Sequence, residues 1–155
     1  MALPFDPAKG ELSEKVNRDV DCSKFLPVET WKSDHTPAVL LACGSYSPPT
    51  IMHTRIFETG RDYFLTEHPE LKIQIVGGFM SPVHAAYGKA SLVSSDFTEH
   101  RVHMVKAAVE SSSWINCDEW EVSQKEWTRT RIAMDRMALE LNKKIGKKKA
   151  CNSTP

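Results

Sequence analysis

The residues best suited to bind a ligand lie in one stretch, A-V-L-L-A-C-G-S-Y-S-P-P-T-I-M-H, at positions 38–53. Gly44 and Ser45 follow an apolar run, and Thr50 and His53 stand at the start of a predicted helix. Such a turn favours anions, because the first N–H groups of a helix lack partners and the helix dipole is positive there. Gly44 has no Cβ to keep a ligand from the backbone, and His53 can donate a hydrogen bond. The stretch predicts a phosphate or nucleotide site; a tight turn with a surface histidine is the alternative.

Two further segments carry polar and aromatic side chains. S-P-V-H-A-A-Y-G-K-A-S-L, residues 81–92, contains Tyr87 and Lys89, and D-E-W-E-V-S-Q-K-E-W-T-R-T, residues 118–130, contains Trp127. A lysine can pair with a phosphate, and an indole can stack on a flat ring. Without other information, a solvated lysine and a core tryptophan are equally open interpretations.

Metal chemistry has little support in the sequence. His100 and His103 are three residues apart on a predicted helix, but no third ligand is near, so we predict a polar helix face beside a valine stripe. The four cysteines include no C-x-x-C pair and are expected to be reduced thiols.

Alternating strands and helices must position these segments. An apolar strand is predicted over 38–43, buried as central parallel strands are, and others over 72–79 and 114–120. The predicted helices cover 50–67, with Met52, Ile56, Gly60 and Tyr63 on one face, 96–110 capped by Asp96, and 123–142 with a capping box of Ser123 and Glu126. Residues 80–95 are predicted to form a loop.

Three strand–helix repeats predict a Rossmann-like α/β domain over residues 38–142, with a parallel sheet, flanking helices and about three βα units. Ligands of such sheets bind beyond the carboxyl ends of the strands. Each candidate segment follows a strand, so we expect all of them to meet at one edge. Residues 1–37 are predicted to be a mostly flexible arm in which Phe25, Leu26 and Trp31 pack onto the domain, and 143–155 a frayed lysine-rich tail.

Composition bounds the class of protein. The chain has 155 residues, 41% hydrophobic and 26% charged, with 20 basic and 20 acidic side chains. These values are typical of a single globular domain, and the neutral balance argues against general nucleic-acid binding. No apolar run approaches the ~20 residues of a membrane span, and the N-terminus lacks the pattern of a secretory signal. We expect a nuclear or cytoplasmic protein without a membrane span.

The segments also resemble a known family. The segment G-S-Y-S-P-P-T-I-M-H resembles the first signature of the H/T-x-G-H nucleotidyltransferases, with Thr50 and His53 in signature positions. It is similar to the variant of this signature that occurs in the eukaryotic nicotinamide/nicotinic acid mononucleotide adenylyltransferases. Residues 81–92 resemble the S-P-V-x-D-A-Y-x-K-K-G-L loop of that family, and 118–130 resemble its D-T-W-E-S-L-Q-K-E-W-K-E-T segment. The likeness covers residues 38–141, about the amino-terminal half of a typical member.

The resemblance implies adenylyl transfer. The 5′-phosphate of the mononucleotide attacks the α-phosphorus of ATP and gives NAD, or its acid form, and pyrophosphate. His53 is then the expected catalytic residue and, with Thr50, an ATP ligand, while Gly44 and Ser45 contact the dinucleotide. No covalent enzyme intermediate is needed, so catalysis consists of positioning and charge neutralisation, with Mg²⁺ accompanying ATP.

Four residues match positions that hold the mononucleotide in the family: Tyr87, Lys89, Trp127 and Thr130. Lys89 is expected to pair with its phosphate, and the Trp127 indole to stack on the nicotinamide ring, which is positively charged when linked to ribose.

The sequence departs from the family in several places. Alanine (Ala85 or Ala86) replaces an aspartate, and Ala90 replaces a second lysine, a loss that we expect to weaken ATP binding by ~1–3 kcal/mol. The second signature, an I-S-S-T-K/R-I-R-like segment, and the later strands are absent, so the sequence is interpreted as a truncated form. The remainder is expected to have an open sheet edge and an exposed apolar helix face. The alternative function is an inactive form that binds mononucleotide or assembles with full-length subunits; homo-oligomerisation stays open.

Overall fold

The computed structural model describes residues 19–87 and 97–152, with side chains of the last helix as far as residue 145. Strands and helices alternate in this part of the chain: β1 Thr36–Gly44, α1 Ile51–Asp62, β2 Ile73–Pro82, α2 Thr98–Val109, β3 Ile115–Cys117 and α3 Thr130–Asn152. The strands form one parallel sheet in the order β1-β2-β3. The predicted Rossmann-like α/β class with about three βα units is therefore confirmed.

The middle strand, β2, is the core of the fold and is buried from Ile75 to Pro82. Its paired glycines let aromatic rings press onto the sheet: a Cβ on Gly77 would lie 2.3 Å from the Phe25 ring, and one on Gly78 would lie 2.9 Å from the Phe57 ring. A side chain larger than hydrogen therefore has no room at either of these two positions.

The two faces of the sheet carry separate hydrophobic clusters. Helices α1 and α2 cover one face, where the cluster includes Phe57, Val105 and Trp114. Helix α3 and the segment before β1 cover the other face, where Val20 and Met137 pack together. Full burial of side chains of this size stabilises the fold by ~1.5–3 kcal/mol each.

Strand β1 is only half-buried along its length, contrary to the prediction of a buried central strand. The reason is its place at the edge of the sheet, because β2 is its sole described neighbour. Beside this edge, α1 buries Phe57, whereas Met52, Ile56 and Tyr63 are 61%, 50% and 42% exposed. The open edge and the exposed apolar helix face predicted from the sequence are both present among the described residues.

The segment before β1 packs on the sheet from residue 19 onward, which differs from the flexible arm expected there. Val20 is 1% exposed, and the Phe25 ring lies 5.6 Å from that of Phe79. The Leu26 N–H donates to the carbonyl of Val76 at 2.9 Å. The packing predicted for Phe25 is thus confirmed, whereas the Leu26 side chain is 39% exposed. Residues 1–18 lie outside the described part of the chain.

Two helix boundaries agree with prediction. The long helix predicted over 50–67 is α1 followed by a π-helical turn, Tyr63–Glu67, and ends at His68. Helix α2 matches the helix predicted over 96–110, although its predicted cap, Asp96, lies outside the described residues.

The predicted start of the third helix is wrong. Residues 120–123 form a turn in which Ser123 Oγ donates to the carbonyl of Trp120 at 2.9 Å, and α3 begins only at Thr130. Burial of Trp120 and Val122, 3% and 8% exposed, outweighs the local capping signal. The helix also continues to Asn152, through residues expected to be a frayed tail.

The boundary of the predicted loop at 80–95 also shifts. Met80 to Pro82 belong to β2, because they pair with β1 as far as Gly44. None of the described helices combines the length and apolar character of a membrane span.

Candidate functional site

The carboxyl ends of the three strands form one edge of the sheet, and the candidate segments leave from it. Gly44 at the end of β1 is in register with Pro82 at the end of β2. The Val83 N–H donates to the carbonyl of Gly44 at 3.0 Å, and the Asp118 N–H donates to that of Met80 at 2.9 Å. The segments that follow β2 and β3 are therefore each bonded to the neighbouring strand where they leave the sheet, at the same edge from which the segment after β1 leaves.

The turn after β1 is built around Tyr46. This residue has a φ of 49° and is 3% exposed, and its hydroxyl donates to the carbonyl of Ala42 at 2.7 Å. A Cβ on Gly44 would lie 2.9 Å from the ring of Tyr46. The space above Gly44 thus holds a protein side chain, whereas we expected it to admit a ligand. Burial raises the pKa of Tyr46, so the hydroxyl stays protonated.

His53 is oriented by the residue that precedes α1. The Thr50 N–H donates to Nδ1 of His53 at 2.8 Å, and the Thr50 hydroxyl lies 2.9 Å from the same nitrogen. Thr50 is the N-cap residue of α1, as predicted. Because Nδ1 accepts the backbone hydrogen bond, the neutral ring carries its proton on Nε2. His53 can therefore donate from Nε2 to an anion at the start of the helix.

Arg101, on α2, joins the segment after β1 to the segment after β2. Its side chain is fully buried; Nη1 donates to the carbonyl of Ser45 at 3.0 Å and Nη2 donates to that of Val83 at 2.9 Å. Burial lowers its pKa from the ordinary value, yet a guanidinium keeps its charge. The predicted contact residue Ser45 is thus held in place by a buried cation. One sequence signal was available: Arg101 directly precedes the buried stripe Val102, Val105.

Tyr87 and Trp127 come together although 40 positions separate them. Their ring centroids are 6.4 Å apart at an interplanar angle of 44°, and Trp127 is 45% exposed. A partly exposed aromatic pair of this kind can accept a flat ring ligand. Thr130 is the exposed first residue of α3. Lys89, predicted to bind phosphate, lies outside the described residues.

A buried ion pair supports the segment that carries Trp127. Asp118 Oδ1 lies 2.9 Å from Nη1 of Arg136, and the side chains are 5% and 8% exposed. Ser81 Oγ donates to the other carboxylate oxygen at 3.4 Å, and the Arg136 guanidinium lies 5.4 Å from the centre of the Trp120 ring. These contacts join the ends of β2 and β3 to α3.

Glu121 is the other buried acid near this edge. It is fully buried, and neither carboxylate oxygen has a partner with good hydrogen-bond geometry among the described residues. Burial raises its pKa, although the Cys43 thiol and the His84 N–H are close enough to act to lower it, and the charge of Asp118 raises it further. The neighbouring thiol of Cys43 has a pKa raised to about 12, first by burial and then by the charge of Glu121. Sequence reasoning did not single out Glu121.

The histidines of α2 bear out the structural interpretation. His100 and His103 are exposed, while Val102, Val105 and Val109 are buried. In the described part of the chain, no three His, Cys, Asp or Glu side chains are grouped as metal ligands.

A groove of about 590 Å³ lies elsewhere, between α1 and the connection from α2 to β3. It contains none of the predicted site residues; Thr54, Arg55 and Ser112 are among its lining. The bonded segments at the carboxyl edge, rather than this groove, combine the groups suited to a nucleotide.

Comparison with known proteins agrees with this geometry. Residues 41–151 match the family model described as cytidylyltransferase-like, and the chain belongs to that family. The matched residues include β2, β3 and the candidate segments that follow them.

The relatives are more specific. The chain is 46% identical over 95 residues to nicotinamide/nicotinic acid mononucleotide adenylyltransferase 2 of Xenopus tropicalis, a match that covers 61% of this chain and 29% of the relative. It is 39% identical over 118 residues to nicotinamide-nucleotide adenylyltransferase of Drosophila melanogaster, covering 76% and 29%. With nicotinamide/nicotinic acid mononucleotide adenylyltransferase of Arabidopsis thaliana the identity is 39% over 117 residues, covering 72% and 46%.

These matches confirm the resemblance stated from the motifs. The chain spans less than half the length of these curated relatives, from 29% to 46%.

Proposed function

We propose that this chain carries the mononucleotide-binding and phosphate-binding part of a nicotinamide/nicotinic acid mononucleotide adenylyltransferase. The reaction transfers AMP from ATP to the mononucleotide and yields NAD, or its deamido form, and pyrophosphate. The 5′-phosphate oxygen forms a bond to the α-phosphorus of ATP while the bond from that phosphorus to the leaving pyrophosphate breaks. This activity belongs to NAD biosynthesis.

One observation supports the proposal: the three segments leave the sheet at its carboxyl edge, where hydrogen bonds hold them beside one another. The contact of Val83 with Gly44 and that of Asp118 with Met80 fix the segments, and the Tyr87–Trp127 pair lies beyond them. A nucleotide has phosphates and a flat base, and this edge offers a helix N-terminus together with an aromatic pair.

The phosphates of ATP would lie at the start of α1. There the Nε2–H of His53 and the first N–H groups of the helix donate hydrogen bonds, with Thr50 fixing the imidazole. Such donors stabilise negative charge that develops on the phosphates in the transition state. Ser45 would contact the ligand through the backbone of the turn, and Gly44 could do so only through its main-chain groups, because the Tyr46 ring fills the space above its Cα.

The mononucleotide would lie against Trp127 and Tyr87, with Thr130 at the border and Lys89 on its phosphate. A positively charged pyridine ring is attracted to the face of an indole by ~0.5–2 kcal/mol. We propose that Mg²⁺ arrives bound to the ATP phosphates as part of the substrate.

We also propose a nuclear or cytoplasmic location, on the basis of the sequence, and no role in nucleic-acid binding. A fluorescent fusion retained in another compartment would contradict the location. Binding of the chain to duplex DNA at physiological salt would contradict the second statement.

The test of function uses the purified 155-residue chain. We expect ATP-dependent formation of NAD or deamido-NAD, and mononucleotide binding that Trp127→Ala removes and Trp31→Ala leaves intact. If the chain binds mononucleotide without turnover, the result would support the alternative function, an inactive form that binds mononucleotide, over the enzyme. A chain that shows no mononucleotide binding and no turnover would overturn the proposal.

A further inference from the structure

Tyr46 is held in a backbone conformation that a bulky side chain disfavours. Its φ of 49° lies in the left-handed region, where non-glycine residues are uncommon. Among the described residues Lys72 also has a positive φ, but its side chain is exposed, whereas Tyr46 is 3% exposed. Strained residues persist only where the surrounding structure fixes them, and they cluster at functional sites. The buried ring of Tyr46 therefore calls for a physical explanation.

Several contacts anchor this ring. Its hydroxyl donates to the carbonyl of Ala42 at 2.7 Å, and the ring covers Gly44, where a Cβ would lie 2.9 Å from it. The same ring belongs to the hydrophobic cluster that includes Phe57 and Val105. Tyr46 is thus fixed both to the end of β1 and to the core.

The imidazole of His53 meets the anchored ring at nearly a right angle. The two ring centroids are 5.2 Å apart, and the angle between the ring planes is 83°. Perpendicular pairs are among the favoured arrangements of aromatic rings. Because Tyr46 lies in the turn after β1 and His53 lies in the first turn of α1, the contact joins the exit of the strand to the start of the helix.

This contact supplies a constraint that the helix cap does not. Thr50 holds only Nδ1 of His53, to which its N–H donates at 2.8 Å. A hydrogen bond at one atom leaves the plane of the imidazole free to tilt, whereas a ring packed against the imidazole removes that freedom. With both constraints the direction of Nε2–H is set before a ligand binds, so the donor needs no reorganisation when negative charge develops.

We propose that Tyr46 is a positioning residue for His53: its anchored ring fixes the plane of the imidazole and so directs Nε2–H to the phosphate site at the start of α1. The aromatic ring has this role, while the hydroxyl anchors the ring to Ala42. The ATP phosphates in this inference rest on the proposed function, but the ordering of the His53 side chain does not.

The first experiment needs no ligand. NMR couplings between the α and β protons of His53 report whether its side chain occupies one rotamer, and His53→Asn identifies the resonances by their loss. We expect one rotamer in the wild-type chain, with NOEs between the rings of Tyr46 and His53. Tyr46→Phe keeps the ring and should give the same result. Tyr46→Leu should average the couplings, because the imidazole loses its second constraint.

Phe79→Leu is the matched control. Phe79 is 0% exposed but belongs to the hydrophobic cluster on the opposite face of the sheet. Its replacement should lower the Tm because a buried ring is lost, and should leave the His53 couplings unchanged. If Tyr46 served only to pack the core, Tyr46→Leu would behave in the same way, with a lower Tm and an ordered His53.

Averaged His53 couplings in the wild-type chain would overturn the inference without any variant. An ordered His53 in a folded Tyr46→Leu chain would also overturn it. If Tyr46→Leu does not fold, the wild-type chain and Tyr46→Phe decide the question: an ordered His53 in both supports the inference, and averaged couplings in either one overturn it.

The second experiment asks whether Tyr46 acts on ATP binding through His53. We expect Tyr46→Leu to raise the Kd of ATP by about 5-fold or more, since a misdirected donor loses much of its hydrogen bond to a phosphate. Tyr46→Phe and Phe79→Leu should change the Kd by less than about 2-fold. In a His53→Asn background Tyr46→Leu should also change it by less than about 2-fold, because the donor that Tyr46 positions is gone.

Independent effects of the two residues, multiplying in the double variant, would overturn the inference. If the wild-type chain binds no ATP, the proposed function fails at its phosphate site, while the NMR couplings still decide whether Tyr46 positions His53.

Discussion

At the scale of single residues, His53 illustrates how one ring can serve two purposes. Its Nδ1 accepts the Thr50 N–H and so completes the start of α1, while the proton on Nε2 remains available to a ligand. Substitutions that keep only one of these atoms can separate stability from binding.

We expect His53→Asn to keep the acceptor near Nδ1 and lose the donor, so ATP binding should weaken about 10-fold or more with little change in stability. His53→Gln should keep a donor near Nε2 and lose the cap, which lowers the free energy of unfolding by about 0.5–2 kcal/mol. Urea unfolding and ATP titration measure the two effects. Equal loss of ATP binding in both variants, with equal stability, would contradict this division.

Gly44 gives a second prediction at this scale. A methyl group there would meet the Tyr46 ring at 2.9 Å, so Gly44→Ala should destabilise the fold by about 1–3 kcal/mol. The cost should shrink in a Tyr46→Ala background, because the obstructing ring is gone. Urea unfolding of the two single variants and the double variant measures the coupling, and additive losses would show that Tyr46 is not the cause.

Local sequence explains part of the site but not its interior. Thr50 was identified as a helix cap from its own neighbours, because capping depends on nearby residues. Tyr46 and Arg101 were not assigned roles in advance, since their partners are backbone carbonyls that only the folded chain brings close. The burial of Glu121 likewise arises only in the folded chain. A charged residue beside a buried apolar stripe is the one signal that the sequence offered.

At the scale of elements, the turn between β3 and α3 shows tertiary packing outweighing a local signal. Ser123 and Glu126 have the spacing of a capping box, yet the helix starts at Thr130. The Asp118–Arg136 pair and the burial of Trp120 hold the intervening residues in a turn. Periodicity predicted where the strands and helices occur, but it could not reveal contacts between distant segments.

The buried Asp118–Arg136 pair makes a prediction at this scale. Arg136→Met leaves a buried carboxylate without its partner and should lower the free energy of unfolding by about 3–5 kcal/mol. The double variant with Asp118→Leu should recover part of that loss, because the uncompensated charge is removed.

Arg131→Met is the matched control, because the Arg131–Asp135 pair lies on the same helix with side chains 69% and 52% exposed. Its cost should be about 0–1 kcal/mol. Thermal and urea unfolding compare the variants. Similar losses in the free energy of unfolding for both arginine variants would mean that the buried pair stabilises the fold no more than the exposed pair.

At the scale of the whole molecule, the exposed stripe on α1 lies beside the open edge of the sheet. A Cβ on Gly60 would lie 3.0 Å from Leu40 of β1, so α1 lies directly over the edge strand. Met52 and Ile56 were predicted to share one face with Gly60; they are exposed, and Phe57 is the residue of α1 that is buried. A helical period identifies an apolar stripe, but it does not say whether a further element covers that stripe.

We expect this surface to make the chain self-associate. Ile56→Lys should shift the sedimentation profile towards the monomer, because a charge on an apolar contact opposes burial. Leu139→Lys is the matched control, since Leu139 is 42% exposed on α3, which packs against the other face of the sheet. A wild-type chain that sediments as a monomer at every concentration, or equal effects of both lysines, would contradict the expectation.

The neighbouring glycines of β2 contact different layers of the domain, so each layer can be altered by a separate substitution. At Gly77 a methyl group would displace Phe25 and the amino-terminal segment, whereas at Gly78 it would displace Phe57 and the helix above the opposite face. Adjacent positions in one strand therefore contact opposite layers of the domain. Gly77→Ala would disturb the layer that contains Phe25 and α3, and Gly78→Ala would disturb the layer that contains Phe57 and α1. The two variants therefore separate the effect of each layer on the candidate site.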